Sequence, residues 1–279
     1  NGGGSLLEAN ALAHLFLGAG TKVQVKTSSG NIHSLGERRG FQFYDGPLVI
    51  LVNRFSASAS EILAGAVQDY ERGLILGTDT FGKGTVQRVQ SLSSGQLKFT
   101  ESKFYRVSGK STQNKGISPD IYLPSPVDIE EFGESKLPGA LQYDFIPGTK
   151  VRDFNRLNSS KELLSIEHQA RAKDSILFTH YETLKSWRRS QDEDKFFDLD
   201  IEKRRLKKEK AELELLTMEN DFRKKIGLGT FESYQAFLDR EENDEEPNIE
   251  EEILLEAANI LSDFIEHSYN PVISMNKAG

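Results

Sequence analysis

Apolar positions in the first 125 residues fall into two kinds of run. Residues 5–17 (SLLEANALAHLFL) and 61–70 (EILAGAVQDY) repeat them at helical spacing, which predicts helices near 5–17 and 58–70. Between and after these lie runs of strand length. PLVILVN (47–53) and GLILG (73–77) are continuously apolar, as strands covered on both faces are. KVQVK (22–26), TVQRV (85–89), LKFTESKFYRV (97–107) and DIYLP (120–124) are further strand candidates. Helices set between strands predict α/β layer packing, so residues 1–125 read as an α/β (α+β) core of short strands and helices. Residues 126–158 hold no sustained period and several prolines, and read as a connector packed on the core through Tyr143, Phe145 and Ile146. From residue 159 to 279 the period becomes helical, in runs at 159–173, 176–187, 200–226, 230–240 and 250–267. That predicts a largely α-helical C-terminal region, with Leu206, Leu213, Leu216 and Phe222 as the packing stripe of its longest helix.

Candidate chemistry sits where the core pattern breaks. After PLVILVN comes a stretch of small residues, and Ser58-x-x-Glu61 then fits a capping box at the start of a helix. The first N–H groups of a helix are unpaired and its end is partly positive. The N–H of Ala59 is therefore placed to bind an oxyanion formed on attack by Ser58. Taken alone, the segment reads better as an ordinary cap. Lys83 follows twenty-five residues later between Gly82 and Gly84. An amine buried in a dry site loses its proton more readily and can serve as a general base. Gln87 lies on the same strand face as Thr85 and Lys83 if the strand is regular, and could orient that amine. A lone Gly-Lys-Gly also reads as a surface turn.

Two other features overlap this region. Gly77-x-x-x-x-Gly82-Lys83 begins like a P-loop, but Gly84 stands where a Ser or Thr is required and TVQRVQSL alternates as a strand rather than opening a helix. An NTPase is thus disfavoured. At the other end, Asn1-Gly2-Gly3-Gly4 precedes a helix and either exposes N–H groups to an anion or makes a tight turn.

NGGGSLLEA, PLVILVNRFSASASE, TFGKGTVQ and STQNKGISPDIYLP occur in this order. Together they resemble the C-terminal processing peptidases, most closely the tail-specific proteases of Gram-negative bacteria. The resemblance covers residues 1 to about 125 strongly and the helical region more loosely. It implies a serine endopeptidase with Ser58, the middle serine of SASAS, as nucleophile. Lys83 becomes general base and Gln87 its orienting partner, with the N–H groups of Ala59 and Gly4 as oxyanion donors and Gly3 as the less favoured neighbour. It implies substrates that are unfolded or tail-tagged proteins with apolar C-termini, and a periplasmic location. It also implies a PDZ domain ahead of the NGGG segment, so the chain reads as part of a longer protein. Residues 1–125 are then part of the protease core, and a non-catalytic scaffold or adaptor-binding module is the alternative.

Composition narrows the partners. The net charge of −8 argues against a nucleic-acid protein. The basic run Lys203, Arg204, Arg205, Lys207, Lys208 and Lys210 is compensated by Glu209, Glu212 and Glu214, so it reads as a solvated helix face. Cysteine is absent, which excludes thiol catalysis and disulfides. His14, His33, His168, His180 and His267 show no metal-ligand spacing, so neither a metal nor a cofactor is expected. No apolar run is long enough for a membrane span. The helical region is a candidate surface for an adaptor or for self-association.

Overall fold

The computed structural model describes residues 1–125, 132–151, 154, 157, 160–192, 198–240 and 247–269. They form two compact units, one of residues up to 165 together with those from 257 onward, the other of residues 166–256.

The first unit begins with α1 (Leu6–Leu17), capped by Ser5, whose hydroxyl accepts from the Glu8 N–H at 3.3 Å. β1 (Val23–Thr27), β2 (Ile32–Leu35), β3 (Val49–Val52), α2 (Ala59–Asp69), β4 (Leu74–Gly77), β5 (Thr85–Ser91), β6 (Gln96–Tyr105) and β7 (Ile121–Tyr122) follow. The strands make two sheets: an antiparallel one ordered β2-β1-β6-β5 and a parallel one ordered β3-β4-β7. In the parallel sheet Val49 to Val52 pair with Leu74 to Gly77 in register.

Helix α2 serves both sheets. Ala59 and Ile62 pack with Ala9, Val23 and Phe104, on the side of the antiparallel sheet. Ala64 and Val67 pack with Val52, Ile75 and Ile117, on the side of the parallel sheet. Ala66 closes a third cluster with Ala13, Leu17, Tyr70 and Val107. A helix apolar around most of its surface is stable only when buried around most of it. Each full Ile or Val burial contributes roughly 1.5–3 kcal/mol. Ser58 is thereby attached to the most constrained helix of the core.

The second unit is helical, drawing on α3 (Lys161–Asp174), α4 (Ile176–Asp192), α5 (Ile201–Lys225), α6 (Tyr234–Leu238) and α7 (Ile249–Tyr269). Its core gathers Leu177, Phe178, Phe222 and Ile249. His180 stacks on Phe222 with ring centroids 4.1 Å apart and pairs with Glu219.

Several expectations need correcting. The polar stretch around His33, which is absent from the strand candidates, forms the exposed strand β2, held by pairing with β1 rather than by burial. The last core strand shrinks to the two residues of β7. The expected stripe on α5 is only half used: Leu206 and Leu213 are each 64% exposed, whereas Leu216 is half-buried and Phe222 buried. Of the three residues meant to hold the connector, Ile146 is buried and Tyr143 lies under the Lys115 ammonium, but the Phe145 side chain is 77% exposed. Phe145 contributes a backbone bridge to Lys110 instead.

Candidate active site

Ser58 stands at the N-cap of α2 with φ 55° and ψ −112°. N-cap residues are normally extended. A non-glycine residue in this region carries strain of about 1–3 kcal/mol and persists only when its surroundings over-determine it. Those surroundings are visible. The Ser58 N–H donates to Glu61 Oε2 at 2.7 Å, one arm of the predicted capping box. The Asn1 carbonyl accepts from the Ala57 N–H at 3.2 Å and from the Ser60 hydroxyl at 2.9 Å. Gly3, at φ 96°, lies against the turn so closely that a Cβ there would sit 2.5 Å from the Ala57 carbonyl oxygen and 2.9 Å from both Ala59 N and Ser58 Cβ. Ser56 is committed to structure, its hydroxyl accepting from the Asn53 N–H at 3.1 Å.

The lysine turn is built by backbone donors. The N–H of Gly82 donates to Glu61 Oε1 at 2.8 Å, that of Lys83 to Glu61 Oε2 at 3.0 Å, and that of Gly84 to Gln113 Oε1 at 2.9 Å. The Thr80 hydroxyl adds a 2.5 Å bond to Glu61 Oε1. The two turns also meet directly, through Phe81 N–H to the Ser56 carbonyl at 2.9 Å and Arg54 Nη1 to the Thr80 carbonyl at 2.5 Å. The glycines flanking Lys83 have a steric reason. A Cβ on Gly84 would come within 2.7 Å of Gln113 N, and one on Gly82 within 3.0 Å of the Asn114 carbonyl carbon. The polar segment 108–118 therefore forms one wall of the lysine turn.

Glu61 is fully buried. Desolvation pushes its carboxyl up to about 7, against the Thr80 hydroxyl and the Gly82, Ser58 and Lys83 N–H groups, each of which favours the ionised form. The nearby Arg54 guanidinium is buried, and desolvation holds it below its ordinary value against the opposing charges of Asp79 and Glu61.

Ser58 and Lys83, twenty-five residues apart, are thus brought together through one carboxylate, and both are half-buried. No hydrogen bond joins the Lys83 amine to Ser58 or to Gln87 among the described residues. Gln87 is exposed on β5, just after an irregularity of register between Val86 and Gln87. The Ala59 and Gly4 N–H groups take no partner among the described residues, whereas the Gly3 N–H donates to Asn1 Oδ1 at 3.0 Å. The more deeply buried lysine is Lys22, lowered to about 8 by desolvation. Its amine is spent on the Gly18 and Gly20 carbonyls after α1. A cavity of about 350 Å³ opens beside the serine turn, lined by Gly3, Gly4, Ala59, Leu12, Leu51 and Leu63 among others. Among the described residues no group of three or more His, Asp or Glu side chains could hold a metal ion, and no helix is long and apolar enough to cross a membrane.

Sequence reasoning missed the second role of Glu61 and the parts played by Thr80, Gln113 and Arg54. The capping-box spacing marks only the Ser58 arm of Glu61. Nothing local to Gln113 announces a bond to Gly84.

Two family models match this chain. Peptidase family S41 covers residues 1–123, and the C-terminal domain of tail-specific protease covers residues 127–266. The chain belongs to the tail-specific proteases of peptidase family S41. Among its relatives is the tail-specific protease of Haemophilus influenzae, 38% identical over a 278-position alignment that covers 95% of this chain and 39% of that protein. The carboxy-terminal-processing protease of Bartonella bacilliformis is 37% identical over a 150-position alignment covering 51% of this chain and 35% of that one. The chain therefore spans about two fifths of the length of its Haemophilus relative. A solved structure of the photosystem II D1 C-terminal processing protease aligns at 40% identity with a TM-score of 0.39, covering 44% of this chain and 32% of that one.

Proposed function

We propose that the chain carries the catalytic centre of a serine endopeptidase in which Ser58 is the nucleophile and Lys83 the general base. One observation carries this reading. A strained serine at a helix N-terminus shares a buried carboxylate, through its N–H, with the N–H of a lysine flanked by glycines. A P-loop needs a helix after that lysine, and the strand β5 stands there instead.

In this mechanism the Lys83 amine takes the hydroxyl proton as Ser58 Oγ attacks the scissile carbonyl carbon. The Ala59 N–H at the first turn of α2 and the Gly4 N–H receive the oxyanion; the Gly3 N–H is occupied by Asn1. Lys83 returns the proton to the leaving amine as the C–N bond breaks. Water, activated by the same amine, then hydrolyses the ester on Ser58. Gln87 orients the amine, which requires the two side chains to turn toward each other in the substrate complex, since catalytic contacts are often longer in the resting enzyme.

The substrates we propose are unfolded or tail-tagged proteins with apolar C-terminal tails, met in the periplasm. The helical region is the candidate docking surface for an adaptor or a second copy. The reading is tested with an unfolded protein bearing an apolar C-terminus, offered to the complete protein and to folded Ser58→Ala and Lys83→Ala variants. Both substitutions are expected to lower kcat by about 10⁴-fold or more. Undiminished cleavage by Lys83→Ala would exclude lysine as the base, and an inert parent would favour a non-catalytic scaffold.

A further inference from the structure

We propose that Glu61 is a positioning residue that holds the nucleophile turn and the base turn in register, an inference that rests on the Ser58–Lys83 reading. An ordinary capping box asks one bond of its glutamate, to the N-cap N–H. Glu61 makes that bond and three more, all to a loop at least nineteen residues away: the Thr80 hydroxyl and the Gly82 and Lys83 N–H groups. The division between its oxygens matters. Oε2 bridges the Ser58 and Lys83 N–H groups at 2.7 and 3.0 Å, so the two residues of the dyad hang from one atom. Oε1 takes Thr80 and Gly82 at 2.5 and 2.8 Å.

Full burial keeps water from substituting for this carboxylate. The strained backbone of Ser58 and the close-packed turn at Gly82 are both fixed at the same acceptor. The ionised form accepts from all four donors as they stand, whereas a carboxylic acid turns one oxygen into a donor that only the Thr80 hydroxyl, by reversing its bond, can accept. The charged groups facing this region are Arg54, on the loop before α2, and Asp79 and Lys83, on the loop after β4. Burial has already raised the carboxyl to about 7, so acidification below neutrality protonates it and weakens the bridge. Phe81 to Ser56 and Arg54 to Thr80 still join the two loops when Glu61 is changed, so a variant keeps its fold while losing the register.

The test uses Glu61→Gln in the complete protein, beside Ser58→Ala and Lys83→Ala. A glutamine supplies one acceptor oxygen and turns an NH₂ toward two donors. The expected result is a kcat lower by about 10²-fold with KM held within about twofold. Labelling of Ser58 by a fluorophosphonate slows in parallel. In the parent the acid limb of log(kcat/KM) includes the proton taken up by Glu61, so it falls more steeply below pH 7 than in Glu61→Gln, which lacks that proton. A folded Glu61→Gln with parental kcat and parental slope overturns the proposal, while inactive Ser58→Ala and Lys83→Ala leave the dyad standing. Cleavage by either of those two variants would instead sink the dyad reading itself. If Glu61→Gln does not fold, Thr80→Val strips one donor from the ionised carboxylate and keeps the Ser58–Lys83 bridge. Its acid limb must then move to higher pH, and an unmoved limb overturns the proposal.

Discussion

In the protease core the buried carboxylate of Glu61 is satisfied by three backbone N–H groups and a hydroxyl, whereas in the helical unit the buried carboxylate of Glu256 meets a guanidinium and an imidazole. Arg171 Nε lies 3.0 Å from both Glu256 oxygens and His168 Nδ1 lies 2.9 Å from one. The acceptor chemistry is the same and the result is different. Backbone donors cannot change rotamer, so a carboxylate that collects them fixes the course of the chain, here of two turns at once. Side-chain partners tie α3 to α7 and leave each helix's backbone to its own ladder. The core thus uses a buried carboxylate to fix the course of two turns, and the helical unit uses one to hold helices together. α5 differs again, carrying exposed pairs within the one helix such as Lys208–Glu212 at 3.6 Å.

The comparison can be broken or sharpened by substitution. The largest effect outside the proposed dyad and Glu61 is expected at Gly3. Gly3→Ala places a Cβ against Ala59 N and Ser58 Cβ from a backbone at φ 96°, and should lower kcat by about 10²-fold. Gly4→Ala, with open space at its Cβ and its N–H kept, should leave kcat near the parent. Steady-state kinetics on the two variants decides the matter, and equal losses would mean the serine turn is not held by Gly3. Next comes Glu256→Ala. Removing one partner of a buried ion pair should lower the unfolding free energy by about 3 kcal/mol, read by denaturant titration, with kcat of the folded protein unchanged. A kcat loss without a stability loss would erase the contrast between the two carboxylates. Smallest is Lys208→Ala, since an exposed i,i+4 pair contributes about 0.3–0.5 kcal/mol, and a shift in denaturation midpoint beyond that would show α5 to be more than a solvated helix.

The readable parts of the chain were those governed by local pattern. Residues 5–17 and 58–70 were expected as helices, and α1 and α2 occupy Leu6–Leu17 and Ala59–Asp69. Their apolar positions recur every three or four residues whatever surrounds them. The strand after Lys83 was equally legible, because TVQRV alternates and β5 is an exposed strand. β2 was not legible, since Ile32–Leu35 buries almost nothing and exists because β1 offers it hydrogen bonds. The stripe on α5 misled for the converse reason: leucines at helical spacing state that a face is apolar, not that anything covers it, and Leu206 and Leu213 remain exposed.

Within the candidate site the division runs through single residues. The order of serine and lysine, the flanking glycines and the serine's place at a helix start are properties of sequence, because helix caps and tight turns demand particular residues locally. Glu61 could be recognised as a capping partner from its spacing alone. That the same carboxylate also accepts from Thr80, Gly82 and Lys83, that Gln113 accepts from Gly84, and that Gly3 rather than Gly4 abuts Ser58 were decided by tertiary structure. A buried acceptor takes whatever donors folding brings within about 3 Å, and donors from distant segments leave no trace in the local pattern of the acceptor's own helix.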